Sequence, residues 1–105
     1  MPASWSITIV PGANSTDPAT FNPPNLIADA GDVVHWNNTT PRPHLLWEVD
    51  DADKPLPVPL GGTRWSSIQP GDQSPAWTVP AKNSGSTIRY RCLRHDGETG
   101  IITIR

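Results

Sequence analysis

Cys92 and His95 stand three residues apart in Tyr90-Arg91-Cys92-Leu93-Arg94-His95. A thiolate at the end of a strand and an imidazole in the loop behind it can converge on one metal ion. Alone, a C-x-x-H string is a weak signal. It gains weight from Gly31-Asp32-Val33-Val34-His35-Trp36-Asn37-Asn38, which His44 follows eight residues after Trp36, so that a second imidazole is available. Taken singly, each of these residues reads as a surface histidine or a buried, inert cysteine. Cys92 is the only cysteine, so no disulfide can form within the chain, and an apolar core, helped by any bound metal, must hold the fold.

Short strands must position these side chains. Ser4-Trp5-Ser6-Ile7-Thr8-Ile9-Val10 alternates polar and apolar residues and stops at Pro11-Gly12, which predicts a half-buried first strand. After a polar loop, Asn25–Ala30 and Val33–Asn37 are the next strands; Val34 and Trp36 face the core, and His35 faces out as an ordinary surface residue. A bulge would be needed to bring His35 to a metal. His44–Val49 follows the stiff Pro41-Arg42-Pro43 segment, whose prolines help to fix where His44 points. Asp50–Gly62, with its prolines, aspartates and Gly pair, reads as an irregular surface excursion. Trp65–Ile68 and Ala76–Val79 read as two strands around the tight turn Gln69-Pro70-Gly71-Asp72. Thr87–Cys92 and Ile101–Arg105 close the chain, joined by Leu93–Gly100.

The composition agrees with an all-β protein of short strands and frequent turns: 13 Pro and 8 Gly make up a fifth of the 105 residues. The length predicts one domain spanning residues 1–105. Ten acidic and eight basic side chains give a net charge of −2, which offers no electrostatic footprint for nucleic acid or an anionic membrane. The first residues, Met1-Pro2-Ala3-Ser4-Trp5, have no signal-peptide pattern, and no stretch approaches membrane-spanning length. Asn-x-Thr tripeptides begin at Asn14, Asn37 and Asn38 and carry meaning only in a secretory pathway. Most of the five Trp are expected in the core. No catalytic triad or phosphate-binding Gly loop is visible, so the chain does not read as an enzyme.

The chain resembles the cupredoxins, the plastocyanin, amicyanin and pseudoazurin family of blue copper proteins. The resemblance rests on Phe21-Asn22-Pro23 leading to Gly31-Asp32, on the strand ending in Trp36-Asn37-Asn38, on the place of His44, and on the closing Tyr-x-Cys-x-x-His…Gly-x-Ile-x-Ile. It covers about half of the chain. It implies a Greek-key β-sandwich of about eight strands with a metal at one end. It also implies a single copper ion held by His44, Cys92 and His95, a one-electron carrier meeting redox partner proteins transiently, a monomer, and a periplasmic or extracellular setting. Two imidazoles and a thiolate suit copper in both oxidation states, so little reorganisation accompanies electron movement.

Two departures stand out. Short-loop members read C-x-x-H-x-x-M, whereas three residues past His95 stands Glu98, and the only Met is Met1. Glu98 either binds the metal, turns to solvent and leaves a three-coordinate site, or marks a position that has lost redox use. As a ligand it would be a harder donor than a thioether, favour Cu(II), lower the potential and move the colour from blue towards green or red. The same set would also suit tetrahedral zinc. In several members an Asn after the first His ties the ligand loops together; here Leu45 follows His44, leaving Asn37 or Asn38 to substitute. Pro43, Leu45 and Leu93 would form an apolar collar around an exit at His95, and Arg42 and Arg94 beside it would favour an acidic partner surface. Asp50, Asp51 and Asp53 stand soon after His44, where some family members carry an acidic docking site, and are read in preference as a solvated loop. Two other functions stay open: a copper storage or delivery protein without fast redox cycling, and a metal-free interaction domain.

Overall fold

The alternating segment at the start of the chain forms β1 (Ser4–Val10), with Ile7 and Ile9 turned fully inward. It pairs in parallel with β4 (Val33–Asn38), and the ladder runs unbroken from Ser4 opposite Val33 to Ile9 opposite Asn38. Without a bulge the alternation of β4 holds: Val34 and Trp36 are buried, while His35 lies on the other face and bonds the Ser74 carbonyl through Nδ1 at 3.3 Å. The computed structural model describes residues 3–14, 17–50, 52, 54–60, 67–93 and 97–105.

Nine strands are present among the described residues, in two sheets. The first has the order β2-β1-β4-β7, where β2 is Thr20–Asn22 and β7 is Trp77–Thr78. The second has the order β3-β9-β8-β5-β6, with β3 Asn25–Ala28, β5 Leu46–Val49, β6 Pro55–Pro59, β8 Thr87–Cys92 and β9 Thr99–Ile104. The inward residues of both sheets form one core, in which Ile7, Ile9, Val34 and Trp36 from the first sheet share a cluster with Leu46, Ile88, Tyr90, Cys92 and Ile102 from the second. This is the expected all-β sandwich. Tyr90 is its aromatic centre, edge-on to Phe21 at 5.0 Å and to Trp36 at 5.4 Å between ring centroids. Of the tryptophans, Trp36 and Trp77 are buried and Trp5 packs part-buried against the core.

Several expected boundaries are corrected. The polar loop before Asn25 contains β2, which pairs with β1 and buries Phe21; one apolar residue between two polar ones is too short a pattern to declare a strand. The stretch expected to be irregular contains β6, paired with β5. Its prolines are tolerated because β6 is an edge strand, which need not donate a full row of hydrogen bonds. β5 begins at Leu46; His44 instead makes an isolated two-way bridge with Ile68, its N–H donating at 3.1 Å and its carbonyl accepting at 2.7 Å. The turn at Gln69–Asp72 forms, with the Asp72 N–H donating to the Gln69 carbonyl at 3.0 Å. The segments it separates do not pair with each other: Ile68 bridges to His44, and Trp77 pairs with Val34 in the other sheet. Trp65 lies outside the described residues.

Candidate metal centre

Two loops meet at one end of the sandwich. The first leaves β4 and runs through Thr40 to His44, and the second leaves β8 at Cys92 and enters β9 after Glu98. Cys92 is the last residue of β8 and is completely buried; its N–H donates to the Glu98 carbonyl at 3.0 Å, one step beyond the Arg91–Thr99 pair. That bond closes the β8–β9 hairpin and sets Cys92 opposite Glu98. Gly97, with φ 81°, supplies the left-handed residue that the hairpin needs just before Glu98. The Leu93 N–H donates to the Leu45 carbonyl at 3.0 Å, so the residues after Cys92 and after His44 are tied by backbone. This tie needs no side chain at position 45.

His44 is 1% exposed and Glu98 3%. Glu98 Oε1 lies 3.0 Å from His44 Nδ1, and Oε2 accepts the Ala19 N–H at 2.7 Å. Of the three readings of Glu98, the solvent-facing one is excluded by this burial. One donor atom from each of His44, Cys92 and Glu98 lies within 4.8 Å of the others, the only such group of three metal-ligating side chains among the described residues. A thiolate, an imidazole and a carboxylate are a donor set that copper and zinc both accept, and the spacing lets all three reach one ion. His95, the expected second imidazole, and Arg94 beside it lie outside the described residues. His35 is not in the group.

Asn38 takes up the tying role expected of Asn37 or Asn38. Its side-chain N–H groups donate to the Arg42 carbonyl at 2.7 Å and the Ile68 carbonyl at 2.8 Å, and its oxygen accepts the Thr40 N–H at 2.9 Å. It thus fixes the chain before His44 and the residue bridged to it. Thr40 and the Ala19 backbone are members of the site that the sequence reading missed. A hydroxyl four residues before the first histidine is the one available signal for Thr40; nothing local marks Ala19. Around the mouth, Pro43, Leu45 and Leu93 are each part-exposed and Arg42 is exposed. Asp50 turns back on its own loop and accepts the Ala52 and Lys54 N–H groups at 2.9 and 3.0 Å, and the Lys54 bond is the main cause holding its carboxyl below the usual range.

No model of a known protein family matches the sequence, and no curated protein matches it. Solved structures do match. A purple cupredoxin from Nitrosopumilus maritimus superposes with a TM-score of 0.76 at 22% identity, covering 95% of this chain and 98% of that one. The fold is that of the cupredoxins. Amicyanin from Paracoccus versutus matches with a TM-score of 0.65 at 16% identity, covering all of this chain and 85% of its own. An amicyanin variant in the Cu(I) form gives 0.67 at 17% identity, covering 98% of this chain and 83% of the other. Fewer than a quarter of the residues are shared with any of these three, so the likeness lies in the fold.

Proposed function

We propose that this chain binds one copper ion through His44, Cys92 and His95, with Glu98 as a fourth donor, and serves as a mononuclear electron carrier. The observation that carries the reading is the convergence of the His44, Cys92 and Glu98 donor atoms within 4.8 Å at the buried end of a cupredoxin fold. The copper named in the amicyanin structure supports the choice of metal. Copper bound here supplies one-electron chemistry by changing oxidation state.

The protein's own residues supply the rest. Cys92, at the end of a hydrogen-bonded strand, gives a thiolate path into β8. His44 is the buried anchor, and the sandwich around it excludes water, which limits solvent reorganisation. The part-exposed Pro43, Leu45 and Leu93 form a small apolar rim suited to brief contact with a redox partner, and Arg42 favours an acidic partner face. We assign the chain no enzymatic role and expect a monomer. No helix among the described residues is long and apolar enough to cross a membrane; a periplasmic or extracellular setting follows from the family resemblance.

Addition of Cu(II) to the apo protein, followed by visible spectroscopy, tests this. A strong thiolate-to-copper band, absent from a Cys92→Ser variant, is the expected result. A protein that stays colourless after loading overturns it. One observation favours a second reading, copper storage or delivery: a buried carboxylate pinned by Ala19 beside His44 is a harder donor than a thioether and resists fast cycling. A reversible voltammetric wave selects the carrier, and its absence from a coloured protein selects storage.

A further inference from the structure

The hydrogen bonds around Thr40 determine which nitrogen of His44 faces the site. Asn38 can be oriented in only one way, because its two N–H donors point at the carbonyls of Arg42 and Ile68 and its oxygen accepts the Thr40 N–H. A flipped amide would press an oxygen against two carbonyl oxygens. Thr40 Oγ1 then lies 2.7 Å from Asn38 Oδ1, 2.9 Å from the Arg42 carbonyl and 2.8 Å from His44 Nε2.

A hydroxyl has one hydrogen. The first two neighbours are oxygens that only accept, so that hydrogen goes to one of them. Given to His44, it would leave three oxygens in contact with nothing between them. The contact with Nε2 must therefore run the other way, with the ring donating and Thr40 accepting. The Arg42 N–H, 3.3 Å from the same oxygen, occupies Thr40 as an acceptor in the same sense.

We infer that Thr40, held by Asn38, is the positioning residue that keeps the proton of His44 on Nε2 and leaves the Nδ1 lone pair turned toward Glu98 as the metal-binding atom. The inference rests on the proposed metal-binding reading. It explains why two potential acceptors, Nδ1 and Glu98 Oε1, face each other at 3.0 Å in a buried site: something positive, a proton or a metal ion, belongs between them. It also assigns the work of a ligand-orienting side chain to a neutral hydroxyl, which adds no second negative charge beside the ion.

The test compares wild type, Thr40→Val and Thr40→Ser by nitrogen-15 NMR of the His44 ring, and measures Cu(I) affinity by competition with a chromogenic chelator. In the wild type, apo and Cu(I)-loaded, a ring Nε2–H signal protected from water exchange is expected. Thr40→Ser should keep it. Thr40→Val, nearly the same shape, should lose the protection and weaken Cu(I) binding about 10- to 100-fold, the usual cost of losing a hydrogen-bond partner of a metal-bound histidine. A loaded wild type with the proton on Nδ1 overturns the inference without any variant, as does a folded Thr40→Val with unchanged protection and affinity. Should Thr40→Val not fold, the wild-type and Thr40→Ser spectra decide alone. A wild type that binds no Cu(I) but shows the protected Nε2–H in the apo form would sink the copper reading and leave the role of Thr40 standing.

Discussion

Glu98 Oε1 sits 3.0 Å from Nδ1 of His44, while its other carboxylate oxygen is anchored by the backbone N–H of Ala19 at 2.7 Å. The side chain is gripped from two sides in a buried site, so its position precedes any metal. Glu98→Gln preserves the shape: the amide oxygen can accept from Ala19, and the amide N–H can donate to Nδ1. Apo stability in urea should change by no more than about 1 kcal/mol, the net worth of one hydrogen bond. Metal binding should suffer far more, because the amide is uncharged and its N–H group faces the ion. We expect at least a tenfold loss of Cu(II) affinity in a competition titration, and equal affinity would show that Glu98 is not a ligand.

Glu98→Met makes the complementary prediction. A thioether is a softer donor and carries no charge, so the Cu(I) state gains relative to Cu(II) and the reduction potential rises. The colour should move towards blue. The same change leaves the buried Ala19 N–H without its acceptor, which costs about 1–3 kcal/mol. Voltammetry and urea denaturation on one preparation should therefore show a higher potential together with lower apo stability. A potential and a spectrum that stay put in both variants would remove Glu98 from the ligand set.

The parts of this site that sequence made legible are those set by strand period and strand ends. Cys92 could be placed because Thr87–Cys92 ends where its alternation ends, and His44 because it follows a proline-stiffened segment. Counting from His95 marked Glu98, but its direction depends on Ala19, 79 positions away, and no local pattern encodes that. Thr40 escaped for a similar reason: a threonine in a polar loop is unremarkable until Asn38 and His44 fold against it. The missed strands fail on the same terms. β2 has one apolar residue, and β6 is written in prolines that are acceptable only once its place at the sheet edge is known.

Gly100 stands opposite Tyr90 in the β8–β9 ladder, and a Cβ there would clash with the Cζ and Oη atoms of the Tyr90 phenol. The ring cannot swing aside, since Phe21 and Trp36 hold it edge-on. Gly100→Ala must then displace Tyr90 or part the two strands. A loss of about 2–3 kcal/mol is expected, at the upper end of overpacking costs. Because Cys92 and Glu98 flank this pair on the same hairpin, copper affinity should fall as well. The urea midpoint and a copper titration read both effects, and a midpoint equal to wild type would mean that the hairpin yields without cost.

Asp32 fastens the first strand. Its carboxylate accepts the Trp5 indole N–H at 2.9 Å, the Ala3 N–H at 2.9 Å and the Asp29 N–H at 3.0 Å. These bonds, that from Trp5 foremost, hold the Asp32 carboxyl below its ordinary value of 3.8. Ionised Asp32 is favoured in the folded state, so its contribution is fully present above pH 3.8 and is lost as the pH falls below 3.8 through the lower folded value. Asp32→Asn should lower stability at neutral pH, because a neutral amide oxygen accepts these bonds less strongly than a carboxylate and its NH2 group would oppose a donor. It should also remove this residue's share of the acid limb. Urea midpoints followed by tryptophan fluorescence from neutral pH to below 3.8 would show the wild-type and variant curves converging as the pH drops. Parallel curves across that range would mean that the charge of Asp32 contributes nothing to holding β1 against β4.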